Sequence, residues 1–76
     1  MRNEIKEGDI AIWIEIPNKY IGVPHILKVA LIDDDEQYAE LYVIWKYTIL
    51  DMERVLISDI RKATKVEIKE LKFRNR

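Results

Sequence analysis

Residues Ile10-Ala11-Ile12-Trp13-Ile14-Glu15-Ile16 set four isoleucines at strict period two. Successive side chains of a strand point to opposite faces, so Ile10, Ile12, Ile14 and Ile16 share one face and Asp9, Ala11, Trp13 and Glu15 the other. The spacing predicts a strand over about residues 9–16 with the isoleucines on the core. Trp13 is then a large aromatic that this core does not need. A one-residue slip would exchange the two faces, so the pattern specifies the register.

The rest of the chain suits that strand. Thirteen isoleucines, six leucines and five valines in 76 residues favour a β-rich fold, because branching at Cβ fits a pleated surface. A chain this short buries only roughly 60% of its unfolded surface and needs a dense core. With no cysteine there is no disulfide, thiolate nucleophile or cysteine-ligated zinc. No apolar run approaches the ~20 residues that span a bilayer, and Met1-Arg2-Asn3-Glu4 does not begin a secretory signal. The expectation is a cytoplasmic protein with no membrane partner. The Ile-Lys-Glu bias fits a thermophile or an AT-rich genome equally.

Downstream, Gly8-Asp9 opens the first strand and Pro17 ends it. Residues 17–24, with two prolines and a glycine, form a loop anchored by Ile21 and Val23. A second strand is expected over His25–Asp33, with Leu27, Val29 and Leu31 on one face. Asp33–Gln37 is a polar hairpin connection. The third strand spans Tyr38–Thr48: Leu41, Val43 and Trp45 share the core parity, and Tyr38, Tyr42 and Ile44 the other. Asp51-Met52 is expected to turn the chain into a short fourth strand, Glu53–Ile57, with Val55 and Ile57 inward. Ser58-Asp59-Ile60 reads as one helical turn, followed by a last strand near Arg61–Ala63. Thr64-Lys65-Val66-Glu67 matches a capping box and predicts a helix over 65–73, although Val66/Ile68 and Leu71/Phe73 also alternate like a strand.

Four strands, a one-turn helix and a final short strand follow the order of an SH3-like barrel. Val55-Leu56-Ile57-Ser58-Asp59-Ile60-Arg61-Lys62-Ala63-Thr64 resembles the ending of small SH3-like domains of phage proteins and, more loosely, of Tudor domains. Gly8-Asp9 is similar to the opening of such barrels. KOW-type barrels differ at Gly22, which is followed here by Val23-Pro24-His25. The expectation is one SH3-like domain over residues 1–76: a mainly β, five-stranded barrel at about 8–63, then a basic segment at 64–76 forming a short helix or extra strand. The resemblance implies that Trp13, Tyr20 and Tyr42 approach one another on a ligand surface, with Asp59 or Glu15 beside them for a cationic group. A Tudor-type cage holds a methylated ammonium in this way, through cation–π attraction.

Catalytic chemistry has little to stand on. His25 is the only histidine, Ser58 and Thr64 have no relay partner, and the Asp33–Glu36 cluster lacks the ligand spacing of a calcium loop. No enzyme activity and no cofactor or metal is expected. Charge is uneven: residues 1–60 carry six basic and twelve acidic groups, and residues 61–76 seven basic against two acidic. The main expectation is a non-enzymatic module binding a protein or peptide through Trp13, Tyr20, Tyr42 and Asp59. One alternative is a nucleic-acid-binding barrel using Lys62, Lys65, Lys69, Lys72, Arg74 and Arg76 on phosphates. Another is a structural or oligomerising accessory protein of a phage or other mobile element. Trp13 itself has two readings, ligand contact or burial beneath Leu71 and Phe73.

Overall fold

Ile10–Trp13 forms the first strand, β1, in the computed structural model, which describes residues 5–75. The strand stops after Trp13, short of the expected Ile16. Its faces are the reverse of those the isoleucine ladder suggests. Ala11 and Trp13 are buried, at 1% and 8% exposure, whereas Ile10 and Ile12 are half-buried and Ile14 is 61% exposed. The physical reason is that both faces of this strand are apolar. Trp13 brings more buriable area than one isoleucine, and Ala11 lets β1 approach closely where it pairs with Leu27. Alternation therefore marks two faces without saying which one is covered.

The second strand, β2 (Ile26–Ile32), the third, β3 (Tyr38–Trp45), and the fourth, β4 (Thr48–Leu56), form an antiparallel meander. The fifth, β5 (Ile60–Lys62), returns to pair with β1. Strand order is β4-β3-β2-β1-β5, with β4 and β5 at the two edges, so the sheet is mainly β as expected but not closed into a barrel. One helix, α1 (Lys65–Arg74), follows. Its start is the expected capping box: the Glu67 N–H donates to Thr64 Oγ1 (3.2 Å) and the Thr64 N–H to Glu67 Oε1 (2.9 Å). Helix wins over strand because these bonds satisfy two of the donors that a helix start leaves open.

Three departures change the sheet's faces. A bulge between Val29 and Leu31 turns Leu31 out to pair with Glu40 and turns Ile32 in against the core. Leu31 is thus not a core residue. The β3–β4 turn falls at Lys46-Tyr47, not Asp51-Met52, which lies inside the ladder. Trp45 pairs with Thr48 across two residues of positive φ (48° and 66°), a two-residue hairpin of type I′ built without glycine or asparagine. Its unusual residues hid the turn. Finally, Ile21 and Val23 do not anchor the loop; both are exposed, and Tyr20 is the buried residue there.

The core consists of Ile5, Ala11, Trp13, Tyr20, Leu27, Val29, Ala39, Leu41, Val43 and Ile60, with Ile32, Val55 and Ile57 packed against it. Val55 and Ile57 point inward as their spacing suggested. Trp45 shares their side but is only half-buried, with the Lys46 ammonium 5.1 Å from its ring centre.

Candidate functional site

Pro17 fixes the start of a single 3-10 turn, Asn18–Tyr20, and the Tyr20 N–H closes it on the Pro17 carbonyl at 2.9 Å. A second turn follows at once. Ile21 (φ −62°, ψ 126°) precedes Gly22 (φ 77°), and the Val23 N–H donates to the Tyr20 carbonyl at 3.1 Å. This is type II geometry, which needs the positive φ that glycine adopts freely. Between them the two turns drop the Tyr20 ring into the open side of the curved sheet.

There Tyr20 stacks on Trp13, with centroids 6.2 Å apart and planes 17° from parallel. The His25 ring lies 5.3 Å from that of Tyr20, tilted by 38°. His25 Nδ1 sits 2.7 Å from the Val23 carbonyl. A carbonyl only accepts, so Nδ1 carries the proton in this contact. The Tyr20 hydroxyl donates to Glu53 Oε2 (3.1 Å) and reaches Asp51 Oδ2 (3.3 Å), both on β4, while Lys19 Nζ bridges to Glu53 at 2.7 Å. Burial, then the bond to Glu53, pushes the Tyr20 phenol above its ordinary value. The same carboxylate raises Lys19. Asp51 is held low, first by the Met52 N–H and then by its side-chain neighbours. Tyr20 thus ties the loop to the far edge of the sheet, spanning the side that closure would have sealed.

A groove of about 560 Å³ runs from this stack to α1, lined by Trp13, Tyr20, His25, Leu27, Leu71 and Asn75, among others. That is the size of a site for a small molecule or one large side chain. Trp13 Nε1, like Trp45 Nε1, is buried with no hydrogen-bond partner among the described residues. Leaving such a donor unpaired costs about 1–3 kcal/mol.

The helix side of the groove is held at both ends. Arg61 on β5 grips Glu67 with two bonds, Nη1 to Oε1 (2.8 Å) and Nη2 to Oε2 (2.6 Å). The guanidinium and then the Thr64 N–H bring the Glu67 carboxyl down to about 2. At the other end buried Asn75 donates from Nδ2 to the Leu71 carbonyl (2.8 Å) and accepts from the Lys46 N–H (3.3 Å). No residue of α1 is itself fully buried, so the helix leaves space beneath it.

Trp13 and Tyr20 are therefore brought together, but facing each other, and Leu71 lies across the groove from them. Tyr42 is not there: it pairs with Lys28 and Met52 on the opposite face of the sheet. Phe73 is exposed on the helix surface. Asp59 is exposed beside a second hollow of about 460 Å³ that also borders Trp13 and Glu15. Of the basic set, Lys65, Lys69, Lys72 and Arg74 are exposed on α1, Lys62 lies 3.7 Å from Asp9, and Arg76 is outside the described residues. His25 and Asn75 were not anticipated as groove residues; an asparagine just past a helical segment is a recognisable C-terminal cap. Among the described residues no group of three or more His, Asp or Glu is placed to hold a metal, and no helix is long and apolar enough to cross a membrane.

The fold and site define a small antiparallel five-stranded sheet with a C-terminal helix and an aromatic-walled groove between them. No protein-family model, curated protein or solved structure matches the chain.

Proposed function

We propose that this chain is a non-enzymatic interaction module of SH3-like type, which takes an apolar side chain of a protein or peptide segment into the groove between Trp13, Tyr20 and Leu71. The observation that carries this is the apolar groove walled by the stacked Trp13 and Tyr20 and by Leu71. A peptide supplies an apolar side chain for these walls. Rigid aromatic walls favour such anchors because little side-chain entropy is lost on binding. The strand order and the 3-10 turn Ile57–Asp59 ahead of β5 support the SH3-like reading.

The test is selection from a displayed random-peptide library, followed by titration of enriched peptides into isotope-labelled protein. The expected result is a shared apolar residue in the peptides and shifts at Trp13, Tyr20, His25 and Leu71. Binding should be lost in Leu71→Arg while the melting temperature holds. Shifts confined to other surfaces, or no enrichment, would remove the proposal.

A second reading rests on Lys65, Lys69 and Lys72, which stand at positions i, i+4 and i+7 and so share one face of α1. Such a row suits phosphates of a nucleic acid. Binding to DNA or RNA that weakens steeply between low and moderate salt, and fails in the triple Lys→Glu variant, is its signature.

A further inference from the structure

The isoleucine ladder of β1 raises a question that the monomer leaves open, because Ile10 and Ile12 stand on the face turned away from the core. The register shows what shares that face. Ile10, Lys28, Tyr42 and Met52 form one cross-strand row. Ile26, Ile44 and Ile49 form the next. On the other side lie Leu31, Glu40 and Arg54, and beyond them Tyr38 and Leu56. Met52, Ile49, Leu31 and Leu56 are all exposed. Nine of its twelve side chains are apolar or aromatic, a composition that a solvated sheet face does not carry.

We infer that this outer face is the interface of a homodimer, covered by the same face of a second copy. Charge favours this occupant, and area sets how tightly it is held. Twelve side chains, each holding about 4.8 by 6.8 Å of sheet, cover about 400 Å², so two copies bury about 800 Å². That lies below the standard size of specific interfaces, so the dimer is a weak, reversible one. The face is close to neutral, with Lys28 and Glu40 near its centre and Arg54 already engaged by Asp33. A two-fold axis midway between Lys28 and Glu40 sets each against the other residue of the second copy, forming two ion pairs at once. On a flat pleated grid this axis passes beside Tyr42 and Met52, so each meets its own copy. The β4 edge is a poorer place to join, because the Met52 N–H is already taken by Asp51 Oδ1 at 2.8 Å.

Sedimentation equilibrium on the full chain tests the inference. The mass should rise from 9.1 kDa toward twice that value as the concentration climbs toward the millimolar range. Met52→Lys, at an exposed position, should weaken association at least tenfold without altering the fold. The chain has no cysteine, so Met52→Cys should form a disulfide-linked dimer on mild oxidation, whereas Val66→Cys, on the helix surface, should not. A wild-type chain that stays at 9.1 kDa to millimolar concentration overturns the inference. So does association that survives Met52→Lys but disappears in the groove variant Leu71→Arg.

Discussion

Trp13→Ala and Ile14→Ala, made separately, distinguish the two faces of the alternating segment 10–16 by stability. Trp13 is 8% exposed, packs in the core and stacks on Tyr20, so truncation removes a whole aromatic and leaves a cavity at the junction of β1 and the loop. Aromatic-to-alanine changes in cores cost about 3–5 kcal/mol. A domain of this size has only about 4–11 kcal/mol in total. The midpoint should therefore fall by at least about 12 °C, at roughly 4–8 °C per kcal/mol, and the variant will border on unfolding at room temperature. Ile14, at 61% exposure, should cost no more than about 0.5–1 kcal/mol. Trp13→Phe keeps a ring against Tyr20 and removes the unpaired indole N–H, so its lost volume is partly offset and the cost should be about 1 kcal/mol. Thermal melts followed by far-ultraviolet circular dichroism, at concentrations below association, read all three. If Ile14→Ala proves the more damaging, the isoleucine face is the buried one and the packing described above is wrong.

Tyr47→Gly should stabilise the protein by about 0.5–1 kcal/mol: relief of a left-handed conformation worth about 1–2 kcal/mol exceeds the added freedom of the unfolded chain. Tyr47 is 94% exposed, so little packing is lost, and a lowered melting point would contradict the type I′ turn. Gly22→Ala should cost about 1 kcal/mol through backbone strain alone, since an added Cβ at φ 77° meets nothing within 4 Å; urea titration measures it. The Glu67 carboxyl lies at about 2, below its ordinary 4.5, so its contribution is complete above about pH 4.5 and is lost as pH falls through about 2. Helix content in an acid titration should fall across that window, and Glu67→Gln should remove this component; an unchanged acid limb would rule out the Arg61 clamp.

Local rules made much of the fold legible. The Thr64/Glu67 box was legible because its bonds join residues three apart and need no tertiary partner, although the alternation of Val66/Ile68 and Leu71/Phe73 kept a strand open. Asp33–Gln37 announced its turn for a similar reason: Asp33 and Asp35 bond to backbone N–H and C=O groups within five residues. Lys46-Tyr47 did not, because its conformation is imposed by the pairing of β3 with β4 against the residues' own preference. The groove was only half legible. Trp13 and Tyr20 stood out as aromatics, but Tyr42 separated from them once strand parity placed it on the outer face.

What the sequence determined by itself was the number and order of strands, the capping box at Thr64/Glu67, and the fact that β1 has two distinct faces. Each follows from spacing along the chain, through the period of a strand or bonds between near neighbours. Only tertiary structure decided which face of β1 is buried, since both carry enough apolar area to be a core. It likewise decided the inward turn of Ile32, which depends on a bulge in the β2–β3 register, and the meeting of Trp13 with Tyr20 and Leu71. Those contacts join residues distant in the chain, and no local period encodes them.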